Sequence, residues 1–319
     1  MSGVTSVVVV YILRVLPGAD KRLTFDSFGL THTGKKRPHN EDQFLVAAMQ
    51  RSMVVSRTSL PHDDERMVFL GIPQAHILVV ADGMGGKAHG EVASSIAVDS
   101  IARYLCNITP FVERDLHRDT VRGLREGLIS AFEATDSSVR DAARERSESM
   151  GTTLTLAYLL WPRLYVAHAG DSRCYLRRKA RGHEPLFEQL TTDHTVAQNL
   201  AAKGIEIDEA SEMHHVLVKA LGGTSAKGEA DVYRVDLRFG DVLLLCTDGL
   251  TKHVAAQDIA AVLDEGESAE ACCRELVRRA NAAGGTDNIT VVVGRARLES
   301  RSDREKKKRR PSLVTGKLR

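Results

Sequence analysis

Apolar positions along the chain form two kinds of pattern. Short runs rich in Val, Leu and Ile predict strands; they cover residues 25–31, 77–81, 152–159, 164–168, 174–177, 242–246 and 289–293. Other stretches have helical spacing, which predicts helices with one face toward a core; they contain Val92, Ile96, Ser100 and Tyr104, and Val121, Leu124, Leu128 and Phe132. Two more helices are predicted within residues 256–263 and 269–282.

The order of these elements excludes a regular alternation of strands and helices. Short links between neighbouring strands, at residues 161–163 and 170–172, predict antiparallel hairpins, so helices must cover the outer faces of sheets. The sequence therefore predicts an α+β sandwich. Residues 50–74 are predicted to be a loop inserted between two strands, and the apolar run at residues 7–16 is predicted to be an extra strand.

Charge and cysteine content narrow the class of protein. The 319 residues carry a net charge of +2, but residues 301–319 contain nine Lys or Arg and two acids, which is typical of a disordered basic tail. The five cysteines show no zinc-binding spacing, so a reducing cytoplasm is favoured. The N-terminal apolar run is too short to span a bilayer.

We expect one catalytic domain at 23–298, between an N-terminal extension at 1–22 and the tail at 299–319.

Four aspartates stand next to predicted strands. Asp82, Asp171 and Asp248 follow strands, and Asp287 precedes one. A single Asp-Gly, as at Asp82-Gly83, is typical of a turn. Four carboxylates at strand ends are costly to bring together unless a cation compensates their charge. Their oxygens favour Mg²⁺, Mn²⁺ or Ca²⁺ over zinc, and a catalytic role favours Mg²⁺ or Mn²⁺. The set therefore predicts a metal site.

A mixed-charge segment follows the first predicted strand of the domain. Arg37 precedes Glu41 and Asp42 by a few residues. A guanidinium can bind two phosphate oxygens, while nearby acids hold or orient metal-bound water. This combination indicates a phosphate site. The glycine-rich residues 83–87 lack the spacing of a nucleotide-binding P-loop.

Six short motifs in order resemble the protein phosphatase 2C family, in its bacterial branch. They begin at Arg37 and end at Asn288; in one-letter code they are RPHNED at 37–42, DGMGG at 82–86, GTT at 151–153, GDSR at 170–173, DGLT at 248–251 and GTDN at 285–288. Each string alone is weak, but chance agreement of all six in order is improbable.

The resemblance implies a four-layer sandwich, with two antiparallel sheets flanked by helix pairs. It implies that Asp82 bridges two Mg²⁺ or Mn²⁺ ions, that Glu41 and the Gly83 carbonyl complete one ion's shell, and that Asp248 and Asp287 hold the other. Asp171, with Asp248, resembles the pair for a third ion, and Asp42 would orient metal-bound water. Arg37 would neutralise phosphoryl charge during direct hydrolysis by water.

Two positions depart from the family pattern. Met84 stands where many eukaryotic relatives have a histidine proposed as general acid, so the acid is unassigned. His39, His89 and His194 lie near motifs and are interpreted as surface histidines. Residues 195–223 resemble the mobile flap beside the family's active site, but their pattern is altered, so no substrate contact is assigned there.

Two functions from different classes are compatible with these motifs. One is an active phosphatase for phosphoserine and phosphothreonine in proteins, opposing a bacterial-type Ser/Thr kinase. The other is a catalytically silent, phosphoprotein-binding sensor or scaffold. Silent relatives usually lose metal aspartates, whereas Asp82, Asp248 and Asp287 are all present. The active enzyme is therefore favoured, as a cytoplasmic monomer without a membrane span or a nucleic-acid partner.

Overall fold

Two antiparallel sheets face each other in the computed structural model, which describes residues 13–15, 22–55, 67–85, 89–108, 118–179, 185–205, 207–208, 211–223 and 229–298. The six-stranded sheet has the order β1-β2-β13-β12-β8-β9. Its strands are β1 (Leu13–Val15), β2 (Arg22–His32), β8 (Arg173–Arg178), β9 (Leu186–Gln189), β12 (Val242–Cys246) and β13 (Ile289–Leu298).

The second sheet has seven strands in the order β10-β5-β4-β6-β7-β11, with β3 paired to β4. These strands are β3 (Asp42–Val55), β4 (Met67–Met84), β5 (Gly151–Thr152), β6 (Leu154–Leu160), β7 (Arg163–Ala169), β10 (Leu221–Gly222) and β11 (Asp231–Asp236).

The described helices include two pairs that cover the outer faces of the sheets. The helices are α1 (His89–Ile108), α2 (Arg118–Arg146), α3 (Val196–Ala201), α4 (Asp248–Thr251), α5 (Ala256–Glu265) and α6 (Ala269–Ala282), with a 3₁₀ turn at Glu212–His214. Helices α1 and α2 pack on the seven-stranded sheet, and α5 and α6 share a core with the six-stranded sheet. Within the described ranges, no helix combines the length and apolar character needed to cross a membrane.

Continuous apolar runs arise because both faces of the central strands are buried. In β4, Ile77 and Val79 lie in the core beneath α1 and α2, whereas Leu78 and Val80 lie between the sheets. Side chains alternate across a strand, so both faces must be apolar when both are covered. This confirms the predicted α+β sandwich and its four layers of helices, two sheets and helices.

Three predictions about connections need correction. Residues 50–55 and 67–74 are not loop, because they extend β3 and β4 as an antiparallel pair; residues 56–66 lie outside the described ranges. The run at 152–159 is broken at Thr153 into β5 and β6. The link at 170–172 is not a hairpin, since β7 pairs with β6 and β11 while β8 belongs to the other sheet.

The two termini are described only in part. From the apolar run at 7–16, residues 13–15 form β1 on the edge of the six-stranded sheet, and the other residues of that run lie outside the described ranges. The predicted disordered tail at 299–319 lies outside them as well.

A buried histidine in β4 makes stability depend on pH. His76 is 8% exposed and its ring lies 4.6 Å from that of Phe25. Burial lowers the pKa of His76 to about 4. In the unfolded chain the same imidazole takes up a proton near pH 6.5, whereas in the folded chain it stays neutral down to about pH 4. The folded state therefore has its full stability above pH 6.5 and loses stability relative to the unfolded state as the pH falls toward 4.

We therefore expect wild-type protein to lose more stability on acidification than a His76→Leu variant. The difference between the two should be about 2 kcal/mol in the change of unfolding free energy from pH 7.5 to pH 5.0. Urea denaturation at both pH values measures it. His39→Gln is the control for loss of an exposed histidine, and equal acid losses in wild type and His76→Leu would contradict the prediction.

Candidate active site

Predicted site residues from distant parts of the chain line one cavity of about 530 Å³. They come from the segment before β3, the end of β4, the link between β7 and β8, the start of α4 and the segment just before β13. The predicted residues in the lining are Arg37, Glu41, Asp82, Gly83, Asp171, Asp248 and Asp287. Across the ranges described, however, no three His, Cys, Asp or Glu side chains are grouped closely enough to hold a metal ion as they stand.

Asp42 is the predicted residue that does not line this cavity. It is 1% exposed, and its Oδ2 accepts hydrogen bonds from Thr247 Oγ1 at 2.8 Å and Thr290 Oγ1 at 2.7 Å. Burial raises its pKa to about 7, although the two threonines oppose this shift. Asp42 is the β-ladder partner of Asp82, so it lies beside Asp82 on the neighbouring strand.

Backbone contacts hold Asp82 in place independently of its side chain. Its N–H donates to Thr153 Oγ1, and its carbonyl accepts from Thr153 N and Thr152 Oγ1, each at 2.9 Å. The hydroxyls of Thr153 and Ser172 share a 2.8 Å hydrogen bond. The break between β5 and β6 therefore ties Asp82 to the link that carries Asp171.

Two glycines allow the start of α1 to approach β4 and Glu41. A Cβ on Gly83 would lie 2.0 Å from the Gly90 carbonyl oxygen, and a Cβ on Gly90 would lie 2.8 Å from Glu41 Cδ. Ser94 Oγ donates to the Glu41 carbonyl at 2.6 Å, and the Gly83 N–H donates to the same oxygen at 3.1 Å. No side chain fits at either glycine without displacing backbone.

Gly83→Ala is expected to lower the free energy of unfolding by roughly 3 kcal/mol or more, because the new methyl group meets backbone that cannot yield cheaply. Gly123→Ala is the matched control. Gly123 is exposed in α2 with no atom within 4 Å of an added Cβ, and alanine there should raise stability by up to about 1 kcal/mol. Thermal or urea unfolding of both variants measures these changes, and equal effects would refute the steric argument.

Positive side chains hold two of the aspartates. Lys252 Nζ lies 2.6 Å from Asp248 Oδ2 and 2.8 Å from Asp287 Oδ2. Arg37 Nε lies 2.8 Å from Asp287 Oδ1. Burial opposes ionisation of Asp287, but Lys252 and Arg37 outweigh it and lower the pKa of this carboxyl group. Burial likewise opposes the charge of Lys252, and the two aspartates raise its pKa above the ordinary value.

Asp82 and Asp171 are crowded and poorly compensated, and so is one oxygen of Asp248. Burial, reinforced by Asp42, Asp248, Asp171 and Asp287, raises the pKa of Asp82 well above its usual range. Burial and the neighbouring Asp248 and Asp193 raise the pKa of Asp171 to about 7. Asp248 Oδ1 is buried without a hydrogen-bond partner.

These features fit divalent ions with hard character. All side-chain donors in the acidic set are oxygen, the choice of Mg²⁺ and Mn²⁺. Carboxylates whose pKa is raised by burial and by neighbouring carboxylates, as in Asp82 and Asp171, are the groups whose ionisation a bound cation favours. The orphaned Asp248 oxygen is a further acceptor without a partner, which a metal ion would satisfy.

The flap is tied to the core by a histidine that the sequence interpretation placed on the surface. His194 is 6% exposed, which corrects that interpretation. Its Nδ1 accepts from the Gly170 N–H at 3.1 Å, and its Nε2 lies 3.0 Å from Asp231 Oδ2. Lys219 Nζ binds the other Asp231 oxygen at 2.9 Å. His194 therefore joins the start of the flap to the residue preceding Asp171.

The other two histidines differ in their surroundings. His39 is exposed, as predicted, and His89 is partly exposed with its Nδ1 2.6 Å from Glu148 Oε2. His215, in the flap, lines the same cavity as the predicted residues and was not singled out by the sequence patterns.

Sequence reasoning also missed the supporting roles of Lys252, Thr153 and Asn288. The side chain of Asn288 accepts from the Glu41 N–H and donates to the carbonyls of Thr33 and His39, which fixes the segment that carries Glu41. One signal was present for Lys252: it follows Asp248 by four residues, a spacing that brings side chains together on a helical turn.

Comparisons with known proteins agree with this geometry. The family model described as protein phosphatase 2C matches residues 80–289. A serine/threonine phosphatase stp from Listeria innocua is 31% identical over 73% of this chain and 89% of its own length. Protein phosphatase PhpP from Streptococcus pneumoniae is 32% identical over 83% of this chain and 94% of its own.

A solved structure shares both sequence and fold. It is the catalytic domain of the serine threonine protein phosphatase PstP in complex with two manganese ions. The similarity has a TM-score of 0.64 and 30% identity, and it covers 86% of this chain and 99% of that one. With the matched family model and the two-sheet sandwich, this similarity leads to one conclusion: the chain belongs to the protein phosphatase 2C family.

Proposed function

We propose that this protein hydrolyses phosphoserine and phosphothreonine esters in proteins, using two Mg²⁺ or Mn²⁺ ions. The observation that carries the proposal is the single cavity in which Asp82, Asp248 and Asp287 lie with Arg37. Phosphoryl transfer needs charge compensation and positioning more than covalent chemistry, and this cavity offers both. PstP, bound to two manganese ions, supports the choice of cofactor.

The proposed ligands are the oxygens of Asp82, Glu41, Gly83, Asp248 and Asp287, with Asp171 and Asp248 for a third ion. When bound, the ions supply Lewis-acid charge and lower the pKa of coordinated water. Arg37 binds the phosphoryl oxygens through its guanidinium fork. Asp42, which lies beside Asp82 on the neighbouring strand, would orient metal-bound water.

The setting of the enzyme is proposed from its family and sequence. Its substrates are phosphorylated proteins, and a bacterial-type Ser/Thr kinase is the natural source of their phosphate groups. We place the catalytic domain at residues 23–298, flanked by the extension at 1–22 and the basic tail at 299–319. We propose a cytoplasmic monomer.

Turnover of a phosphothreonine peptide tests the proposal. With Mn²⁺ we expect phosphate release at a rate typical of enzymes, about 1–10³ s⁻¹, and loss of that activity when a chelator removes the ions. Phosphate release is measured directly, with the corresponding unphosphorylated peptide as the blank. Tight binding of the phosphopeptide without turnover in Mn²⁺ would instead identify a silent phosphoprotein-binding member of the family.

A further inference from the structure

Lys252 is a positive side chain placed between two proposed metal ligands. Its Nζ contacts Asp248 Oδ2 at 2.6 Å and Asp287 Oδ2 at 2.8 Å. It lines the catalytic cavity and is 28% exposed. Because Lys252 directly follows the short helix α4, which begins at Asp248, the backbone itself directs this ammonium group toward the acidic cluster.

The contacts of Lys252 use oxygens that a divalent ion also needs. On Asp287, Oδ2 binds Lys252 and Arg37 NH2, and Oδ1 binds Arg37 Nε. On Asp248, Oδ2 binds Lys252, whereas Oδ1 is buried without a partner. A divalent ion that takes both carboxylates must therefore displace the ammonium group or accept a like charge beside it, and each costs binding free energy.

From these contacts we propose that Lys252 sets the affinity of the metal site, because its ammonium group competes with the divalent ion for Asp248 and Asp287. The inference rests on the proposed metal-dependent function. Lys252 weakens metal binding and, when the ion is withdrawn, compensates part of the negative charge of the two carboxylates. The wild-type enzyme therefore needs a higher free concentration of Mn²⁺ or Mg²⁺ to fill the site than a variant without the lysine.

Metal titration of three variants tests the inference without reference to activity. Lys252→Met removes the charge and keeps a long side chain, and calorimetry should show Mn²⁺ binding tighter by about tenfold or more. Lys252→Arg keeps the charge and should stay within about threefold of wild type. Lys219→Met is the matched control, because Lys219 is 34% exposed and pairs with Asp231 outside the cluster; its metal affinity should equal that of wild type.

The substitution that strengthens Mn²⁺ binding should lower the stability of the metal-free protein, measured in chelator. Without an ion, Lys252→Met leaves Asp248 and Asp287 without the ammonium group, so its melting temperature in chelator should fall below that of wild type and Lys252→Arg. With excess Mn²⁺, the melting temperature of Lys252→Met should rise by more than that of wild type.

A measurement on the unmodified chain decides the question if Lys252→Met fails to fold. An ion that displaces Lys252 releases its amine, so acylation of Lys252, followed by mass spectrometry, should accelerate severalfold when Mn²⁺ replaces chelator. Lys219 in the same sample is the internal reference. Unchanged Mn²⁺ affinity in folded Lys252→Met, or unchanged acylation of Lys252, overturns the inference while metal-dependent turnover by wild type still upholds the function. Absence of metal-dependent turnover in wild type would overturn the function itself.

Discussion

Replacing Asp82 by asparagine is expected to lower kcat/KM for a phosphothreonine peptide on the order of 10³-fold or more in saturating Mn²⁺. The substitution changes one carboxylate oxygen to an amide nitrogen, which is a donor and a poor ligand for a hard cation. Asp82 lies at the centre of the acidic cluster, where four other aspartates act on its pKa. Its loss should therefore affect every ion that the cluster holds.

The fold should survive this change, because backbone contacts to Thr152 and Thr153 position residue 82. Removing one of several crowded carboxylates also relieves repulsion, so in chelator Asp82→Asn should melt at or above the wild-type temperature. Asp99→Asn removes an exposed carboxylate from α1 and is the control for net charge. Full activity of Asp82→Asn in the presence of Mn²⁺ would rule out the proposed metal centre.

Arg37→Ala is expected to reduce kcat/KM about 10²-fold, because the substrate phosphoryl group loses a charged, two-pronged donor. Arg37 is 51% exposed in the cavity lining, so it is accessible to substrate while it pairs with Asp287. Arg37→Lys keeps the positive charge but lacks the planar guanidinium that binds two oxygens at once. We expect it to reduce kcat/KM less, by about tenfold. Steady-state kinetics at saturating Mn²⁺ separates this effect from any change in metal affinity through Asp287.

Arg103→Ala is the matched control for Arg37→Ala. Arg103 is also an exposed arginine paired with an aspartate, Asp99, but it lies on α1 and does not line the catalytic cavity. Its substitution should leave kinetics and stability near wild type, since exposed ion pairs contribute little. Similar kinetic losses in both variants would remove Arg37 from the proposed phosphate site.

The strand pattern of the core was predictable because its physical cause is local. Strands such as β12, with Leu243 and Leu245 facing one layer and Leu244 and Cys246 the other, must be apolar along their whole length when both faces are buried. The same reasoning failed for residues 50–55 and 67–74. Their pairing as extensions of β3 and β4 depends on the partner strand and not on their own pattern.

The candidate site was predictable in its residues and not in its arrangement. Strand-end aspartates and ordered motifs indicated most of the side chains that the fold brings together around one cavity. The sequence did not indicate the burial of Asp42 outside the cavity lining, the burial of His194 or the position of Lys252 between two carboxylates. Each depends on which segments meet in space. Asp42 pairs with β4 and accepts a hydrogen bond from Thr290, and His194 contacts Gly170 and Asp231.

The sequence by itself determined the class of fold, the acidic residues and the kind of chemistry, since hydrophobic periodicity and the choice of carboxylate donors are properties of residues and their spacing. Tertiary structure decided the charge balance around those donors. Lys252 and Arg37 stabilise the ionised form of Asp287, whereas burial among other aspartates destabilises the ionised form of Asp82. Electrostatic interactions depend on distance and burial, so only the folded chain determines which carboxylates are already paired and which need a metal ion.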